Sequence, residues 1–212
     1  MVILYSHQES LRYLGSSRRL ISLVKFNDYF PKVYVINLDR RQDRMERFDQ
    51  QAKALGIEYK RFSAVEAVDP RLGCKLSHVS VLSMCRNDSI FVFEDDSIFV
   101  DDFQQKFEEA MNSVPRDWNM LYFGAHLLQK EPVNNQWVRS IESSSTHAYA
   151  VKKEYVSKLI RRAMSVEGHT DVAFSSLHKE IIAYAARPTL VYQGPSYSDL
   201  LGDEVDYTYL YF

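Results

Sequence analysis

The stretch Ser89-Ile-Phe-Val-Phe-Glu94-Asp95-Asp96-Ser-Ile-Phe-Val100 joins an apolar segment directly to three consecutive carboxylates. The β-branched and aromatic run Ile90–Phe93 predicts a strand that is buried on both faces. Apolar chain resumes at Ile98, so the acids lie between two segments that are expected to be buried. Three negative charges there are costly unless a cation compensates for them. The pattern therefore indicates either a divalent-cation site with oxygen ligands or a solvated acidic turn that binds nothing.

Strand and helix patterns alternate on both sides of this stretch. Val33–Leu38 and Ile57–Phe62 are predicted strands, and apolar positions at helical spacing between them predict a helix that ends at Gly56. A second helix is predicted from Gly73. Further strands are predicted at residues 118–123, 137–141, 147–151, 181–186 and 189–192, with a loop at 129–136. The alternation predicts an α/β fold, a mixed Rossmann-like sheet flanked by helices in a single domain.

Composition limits the functional classes. The chain has 212 residues, a hydrophobic content of 46% and a charged content of 25%, which are ordinary for one globular domain. A formal net charge of -2 gives no basic surface for nucleic acid. The cysteines Cys74 and Cys85 lie on one predicted helix and are too far apart to bridge, so reduced thiols are expected.

The N-terminal segment carries no secretory pattern. Its first residues lack a basic region and the apolar run is only four residues long, so a cytoplasmic location is expected. No run of 18 apolar residues predicts a membrane span. Residues 10–30 alternate apolar positions with arginines and a lysine, which is typical of a packing helix and also of a helix at an anionic membrane surface. Peripheral membrane contact therefore stays open.

Common phosphate-binding motifs are absent from the sequence. It contains neither G-x-x-x-x-G-K-[ST] nor G-x-G-x-x-G, and only 7 glycines in all. A protein without a glycine-rich cradle can instead neutralise a diphosphate with a metal ion that acids hold. That arrangement is typical of sugar-nucleotide transferases.

Three segments in order resemble glycosyltransferase family 25, which includes lipopolysaccharide-type and procollagen galactosyltransferases. They are Val35-Ile-Asn-Leu-Asp-Arg-Arg-Gln-Asp-Arg44, Gly73-Cys-Lys-Leu-Ser-His78 and Phe93-Glu-Asp-Asp96. Weaker similarities follow at Thr146–Val151, Asp171, Gln193 and Ser198–Asp199. The resemblance implies a GT-A-like domain over residues 31–212 after an N-terminal extension, 1–30. It also implies a UDP-sugar donor and Mn²⁺, or Mg²⁺ in its place.

The resemblance assigns roles to individual residues. Asp96 is expected to bind the metal directly, and Glu94 to assist through a metal-bound water or the donor ribose. The donor-binding candidates are Asn37, Leu38, Arg40, Arg44, Ser77, His78, Glu94 and Asp95. Other interpretations stay open. The two arginines can be solvent-exposed charges at the start of a helix, and His78 can be a histidine near the core whose hydrogen bonds are made within the protein.

The second half of the chain is harder to interpret. Asp171 matches a late aspartate of the family and is the candidate catalytic base, although it can equally be a helix N-cap. The implied reaction moves a hexose to an acceptor hydroxyl with inversion at the anomeric carbon. Galactose is the favoured hexose, and glucose is the alternative. A glycan, a lipid-linked glycan or hydroxylysine would be the acceptor. A catalytically silent sugar-nucleotide or glycan-binding module with the same fold is the alternative.

Overall fold

Among the described residues, 25–85 and 87–211, the computed structural model has a six-stranded central sheet flanked by helices. The sheet contains β1 (Val33–Asn37), β2 (Lys60–Ser63), β3 (Ile90–Glu94), β5 (Met120–Pro132), β6 (Trp137–Val151) and β7 (Ala183–Ala186). Four short strands pair outside it: β4 (Ser97–Phe99) with β8 (Val191–Gln193), and β9 (Ser196–Ser198) with β10 (Asp203–Val205). The helices are α1 (Phe26–Tyr29), α2 (Gln42–Leu55), α3 (Pro70–Ser83), α4 (Phe103–Asn112), α5 (Lys153–Ser165) and α6 (Thr170–Ser175).

Five strands of the sheet run in one direction, and β6 runs in the opposite direction. Its strand order is β2-β1-β3-β6-β5-β7, in which β1 lies parallel to β2 and β3. β6 is antiparallel to β3 and β5, and β7 returns parallel to β5. The predicted mixed α/β fold is confirmed. Because β1 and β3 run in the same direction, their carboxyl ends open at one edge of the sheet, where such folds bind ligands.

β3 is the strand on which both layers of helices pack. Its side chains alternate, so Phe91 and Phe93 enter one apolar cluster while Ile90 and Val92 enter the other. All four are fully buried. The acidic turn Glu94–Asp96 therefore begins at a rigid point of the core.

Local signals explain the ends of two helices. Gly56 caps α2 in the left-handed conformation, with a φ of 65°, as the sequence predicts. α3 begins three residues before the predicted Gly73, because Asp69 accepts a hydrogen bond from the Arg71 N–H and Pro70 occupies the first helical position.

The β5–β6 hairpin differs most from the prediction. Three short strands and a loop at 129–136 were expected, but β5 continues to Pro132 and pairs with β6 as far as Val138. Register shifts near Gly124 and Gln129 interrupt the alternation of apolar residues along β5. The strand is completed by pairing with a distant segment, which a local sequence pattern does not encode.

Residues at the start of the described chain pack into the core. Phe26 and Phe30 are buried, and each ring contacts Phe91 and Phe107. Most of the predicted amphipathic segment lies outside the described residues, and the division at residue 30 stays a prediction. No helix in the described part of the chain is both long and apolar enough to cross a bilayer.

Gly124 is the glycine whose replacement is expected to disturb the fold most. A Cβ added there would overlap Nε2 of His147 and the carbonyl oxygen of Val191. We expect Gly124→Ala to lower the free energy of unfolding by about 1–3 kcal/mol, measured by urea denaturation. The control is Val68→Ala at a fully exposed side chain, and equal stability of the two variants would contradict the prediction.

Candidate active site

A cavity of about 490 Å³ lies at the carboxyl ends of β1 and β3. Nine of the ten predicted site residues line it: Leu38, Arg40, Arg44, Ser77, His78, Glu94, Asp95, Asp96 and Asp171. Asn37 is not among the lining residues. Residues from the first strand, α2, α3, the acidic turn and α6 thus meet around one pocket, although more than 130 positions separate Leu38 from Asp171.

Arg44 holds the acidic turn in place. Its Nη1 donates to Oδ1 of Asp95 at 3.1 Å and approaches Oδ2 of Asp96 at 3.4 Å. Its Nη2 donates to Ser196 Oγ and to the Tyr197 carbonyl. The side chains of Arg44, Asp95 and Asp96 are only 8–13% exposed, so this ion cluster is nearly dry.

The cluster is not electrically balanced. Burial and the neighbouring Asp96 raise the pKa of Asp95, and burial and Glu94 raise that of Asp96, while Arg44 offsets only part of the effect. The buried Asp96 Oδ1 has no hydrogen-bond partner within the described residues. An oxygen of this kind, in a pocket short of positive charge, is suited to a cation or to a donor group on a ligand.

Asn37 supports the turn from behind the pocket wall. Its amide nitrogen donates to Oδ2 of Asp95 at 2.7 Å and to the Arg41 carbonyl at 2.9 Å, while its Oδ1 accepts from Arg61. It is 2% exposed. Asn37 therefore orients Asp95, and a direct contact with a ligand in the pocket is not indicated.

Glu94, whose side chain is 22% exposed, pairs with the buried His78 at the pocket wall. Glu94 Oε1 lies 3.1 Å from His78 Nε2 and accepts from Thr146 Oγ1 at 2.7 Å. Burial opposes both charges, but the pairing with His78 lowers the pKa of Glu94, and the surrounding Tyr149, Cys74 and Glu94 raise the pKa of His78. The contacts with His78 and Thr146 therefore favour the carboxylate form of Glu94, which lines the pocket.

Ser77 and Leu38 line the pocket without charge. Ser77 Oγ donates to the Gly73 carbonyl and accepts from the Val65 N–H, which ties α3 to the segment after β2. A Cβ on Gly73 would lie 2.6 Å from the Val65 carbonyl oxygen, so the close approach requires glycine.

The C-terminal segment closes one side of the pocket. Asp199 pairs with Arg40 at 2.9 Å and with Arg41 at 2.5 Å. The segment's other lining residues are Gln193, Ser198, Leu200, Leu201 and Tyr207. Its tyrosine-rich, acidic sequence has no clear period, so periodicity gave no signal for these contacts; only the family similarity at Gln193 and Ser198–Asp199 pointed to them.

Asp171 is tied to the opposite side of the pocket. It lies in the first turn of α6, after the N-cap His169, so it is not itself the N-cap. Oδ2 accepts from the backbone N–H of Ser145 at 2.8 Å, and Oδ1 accepts from the Val172 N–H at 2.8 Å. Each carboxylate oxygen keeps a further lone pair that can accept from a hydroxyl group.

The donor set fits a hard divalent cation that is only partly ligated by protein. No three His, Cys, Asp or Glu side chains converge as a complete metal cage among residues 25–85 and 87–211. Mg²⁺ and similar ions, however, commonly bind one or two carboxylates and complete their shell with water and substrate phosphates. Asp96, with an unpartnered oxygen, fits that pattern best, and Glu94 lies in the same turn.

Comparisons with known proteins agree with this arrangement. The model of "Glycosyltransferase family 25 (LPS biosynthesis protein)" matches residues 68–174. A glycosyltransferase 25 family member from Aedes aegypti is 21% identical over 76% of this chain and 35% of its own length. Procollagen galactosyltransferase 2 from Mus musculus is 29% identical over 62% of this chain and 27% of its own. The chain thus spans about a third of the length of the curated relatives it matches.

The similarity to one solved structure bears on the fold and not on the function. The crystal structure of A197 from STIV is 17% identical, has a TM-score of 0.50, and matches over 82% of this chain and 92% of its own. The predicted GT-A-like mixed sheet with flanking helices is confirmed. Since the family model matches half of the sequence and includes α3, the acidic turn and α6, this chain belongs to glycosyltransferase family 25.

Proposed function

We propose that the chain transfers a hexose from a UDP-sugar to an acceptor hydroxyl, with Mn²⁺ or Mg²⁺ as cofactor and with inversion at the anomeric carbon. The observation that carries this proposal is the unpartnered Asp96 Oδ1 in a pocket that also presents Arg40, Arg44 and Asp171. Galactose is the preferred sugar, because several of the related proteins are named galactosyltransferases.

The charge of the residues that line the pocket supports the proposed metal ion. Among the described residues, six carboxylates and two arginines line the pocket: Glu66, Glu94, Asp95, Asp96, Asp171, Asp199, Arg40 and Arg44. One carboxylate of the pocket, Asp199, already occupies Arg40. A nucleoside diphosphate would therefore be repelled unless it arrived with a compensating cation. A divalent ion, when bound, supplies positive charge at the diphosphate oxygens and stabilises the departing UDP.

The protein's own groups orient the donor. Asp96 and Glu94 would hold the ion, and hard oxygen ligands favour Mn²⁺ or Mg²⁺ over zinc. Arg44 is pre-positioned by Asp95 and Ser196, and its buried Nε has no partner among residues 25–85 and 87–211. The fork of Arg40 suits phosphate oxygens, which arginine binds in a bidentate manner. Both Nη atoms of Arg44 are already engaged by the acidic turn and by Ser196 and Tyr197, so Arg44 contributes its positive charge to the pocket.

Asp171 is the base in this scheme. The acceptor oxygen attacks the anomeric carbon while the bond from that carbon to the diphosphate oxygen breaks. The acceptor proton passes to a carboxylate oxygen of Asp171, and the negative charge leaves with UDP. Inversion requires the base and the leaving group on opposite faces of the sugar. The proposed acceptor is a glycan, a lipid-linked glycan or hydroxylysine, and the names of the relatives, which mention LPS biosynthesis and procollagen, support this range.

The metal requirement gives the first functional prediction. Incubation of the chain with Mn²⁺ and a panel of UDP-hexoses is expected to release UDP, and EDTA is expected to abolish the release. Asp96→Ala should abolish it too, because the free carboxylate oxygen is lost. UDP with Mn²⁺ should raise the melting temperature of the wild type and leave that of Asp96→Ala unchanged.

Asp101→Asn is the matched control, since Asp101 is an exposed carboxylate only five residues away. Its UDP release should equal that of the wild type. Release that continues in EDTA would overturn the metal proposal. UDP binding without turnover of any donor, hydrolysis included, would overturn the transferase proposal in favour of a binding module.

The base gives a second prediction. Asp171→Asn preserves the size of the side chain but removes its basicity, so kcat for transfer should fall about 10²–10⁴-fold while the donor KM changes little. Steady-state kinetics with saturating acceptor would measure this. The Kd for UDP, measured by calorimetry, should stay within about twofold, because uniform binding of the donor is unaffected. Retained kcat would contradict the role of Asp171.

Replacement of Arg44 is expected to destabilise the fold more than replacement of Arg40. Arg44→Ala leaves Asp95 and Asp96 buried without their cation, so the free energy of unfolding should fall by about 3–5 kcal/mol. Arg40→Ala is the control, because its half-exposed pairs with Glu66 and Asp199 contribute less than about 1 kcal/mol. Urea denaturation measures both, and similar losses would show that the buried cluster is not held by Arg44.

A further inference from the structure

A line of hydrogen bonds crosses the pocket from Asp171 to Asp96. The backbone N–H of Ser145 donates to Oδ2 of Asp171 at 2.8 Å, and Ser145 Oγ lies 2.9 Å from Oε1 of Gln193. The amide nitrogen of Gln193 then donates to Oδ2 of Asp96 at 3.2 Å. Two residues therefore connect the candidate base with the candidate metal ligand.

Strand pairing fixes one end of this line. Gln193 is the last residue of β8, and its Cα is paired with that of Ser97 in β4. Ser97 directly follows Asp96, and its Oγ donates to the His147 carbonyl at 2.8 Å. The backbone N–H of Gln193 also donates to Tyr211 Oη. The position of the Gln193 amide relative to Asp96 is thus set by backbone contacts on both sides.

Ser145 has an unusual backbone conformation. Its φ of 74° lies in the left-handed region, which a residue with a side chain adopts at a cost of about 1–3 kcal/mol. Such conformations persist where surrounding contacts hold them, and they are concentrated at functional sites. Here the contacts are those of its N–H with Asp171 and of its hydroxyl with Gln193 and His147.

His147 determines how the hydroxyl is shared. Its Nε2 donates to the Val191 carbonyl, and burial lowers the pKa of the ring, so Nδ1 of the neutral ring is an acceptor. The single hydroxyl proton of Ser145 thus has two acceptors within reach, His147 Nδ1 at 2.6 Å and Gln193 Oε1 at 2.9 Å. The backbone bond to Asp171 is kept with either acceptor.

We propose that Ser145 and Gln193 are positioning residues, which hold the carboxylate of Asp171 at a fixed place relative to Asp96. This inference rests on the proposed transfer reaction. Attack opposite the leaving group requires the base and the diphosphate-binding side of the pocket to be aligned, and a displacement of about 1 Å can reduce the rate roughly 10²-fold. Neither residue exchanges a proton with the substrate.

The test compares Gln193→Leu, which keeps the size of the side chain but removes both hydrogen bonds, with Ser145→Ala. Each should lower kcat for transfer by about 10–100-fold, while the donor KM and the Kd for UDP stay within about twofold. In the double variant kcat should fall no further than in the worse single variant, because both changes break one bridge. Multiplicative losses, or loss of UDP affinity equal to the loss of kcat, would overturn the proposal.

Gln51→Leu is the matched control. Gln51 also supports β4 by hydrogen bonds, accepting from the Phe99 N–H and donating to the Ser97 carbonyl, but it takes no part in the bridge. Its loss should lower the melting temperature without changing kcat by more than about twofold. Equal kcat losses in the Gln51 and Gln193 variants would reduce Gln193 to a support of the fold and contradict the proposal.

A second measurement works even if the wild type shows no transfer, an outcome that would contradict the proposed function alone. The carboxyl carbon resonance of Asp171 is assigned by NMR with Asp171→Asn. It should shift in Gln193→Leu and in Ser145→Ala, and stay in place in Gln51→Leu. An Asp171 resonance that is the same in all three variants would overturn the bridge.

Discussion

The arrangement of the site depends on the contact of one buried arginine with two adjacent carboxylates. Arg44 compensates Asp95 and approaches Asp96, but a single positive charge leaves the turn with an excess of negative charge, and the pKa values of both aspartates are raised by burial and by neighbouring acids. Such clusters commonly contribute little net stability, because desolvation offsets the attraction. Their persistence in a nearly dry position is better explained by a ligand that supplies the missing charge.

The scaffold can tolerate this cost because β3 is anchored on both faces. The phenylalanines of β3 pack under α1, α2 and α4, while its aliphatic residues pack under α3 and α5. The strand end is therefore fixed before the acids begin, and the Asp95 N–H donates to the Ile36 carbonyl of β1. A flexible loop could relax by turning its carboxylates to solvent, whereas this turn cannot do so without breaking the sheet.

The sequence predicted the part of the site that is encoded locally. Buried strands followed by polar residues identify the acidic turn and the end of β1. Arg44 lies on the predicted helix, whereas Arg40 precedes it, since α2 begins at Gln42. Contacts that depend on distant pairing were not predicted from pattern: the long β5–β6 hairpin, the left-handed Ser145, and the contact of Asp199 with Arg40 and Arg41. The contact of Gln193 with Asp96 arises from the β4–β8 pairing, so no local pattern around Gln193 indicates it.

The two sides of the pocket consequently differ in rigidity. Asp95 and Asp96 are fixed by a strand that is fully buried, whereas the Asp199 side is held mainly by ion pairs with arginines and by β9–β10 pairing at the surface. Ion pairs near solvent are weak and screened by salt, and segments with few buried apolar contacts open at the lowest free energy. A diphosphate that binds Arg40 competes with Asp199 for the same guanidinium. Ligand binding would thus act on the side of the pocket that is least costly to rearrange, while the acids and their supporting strand stay in place.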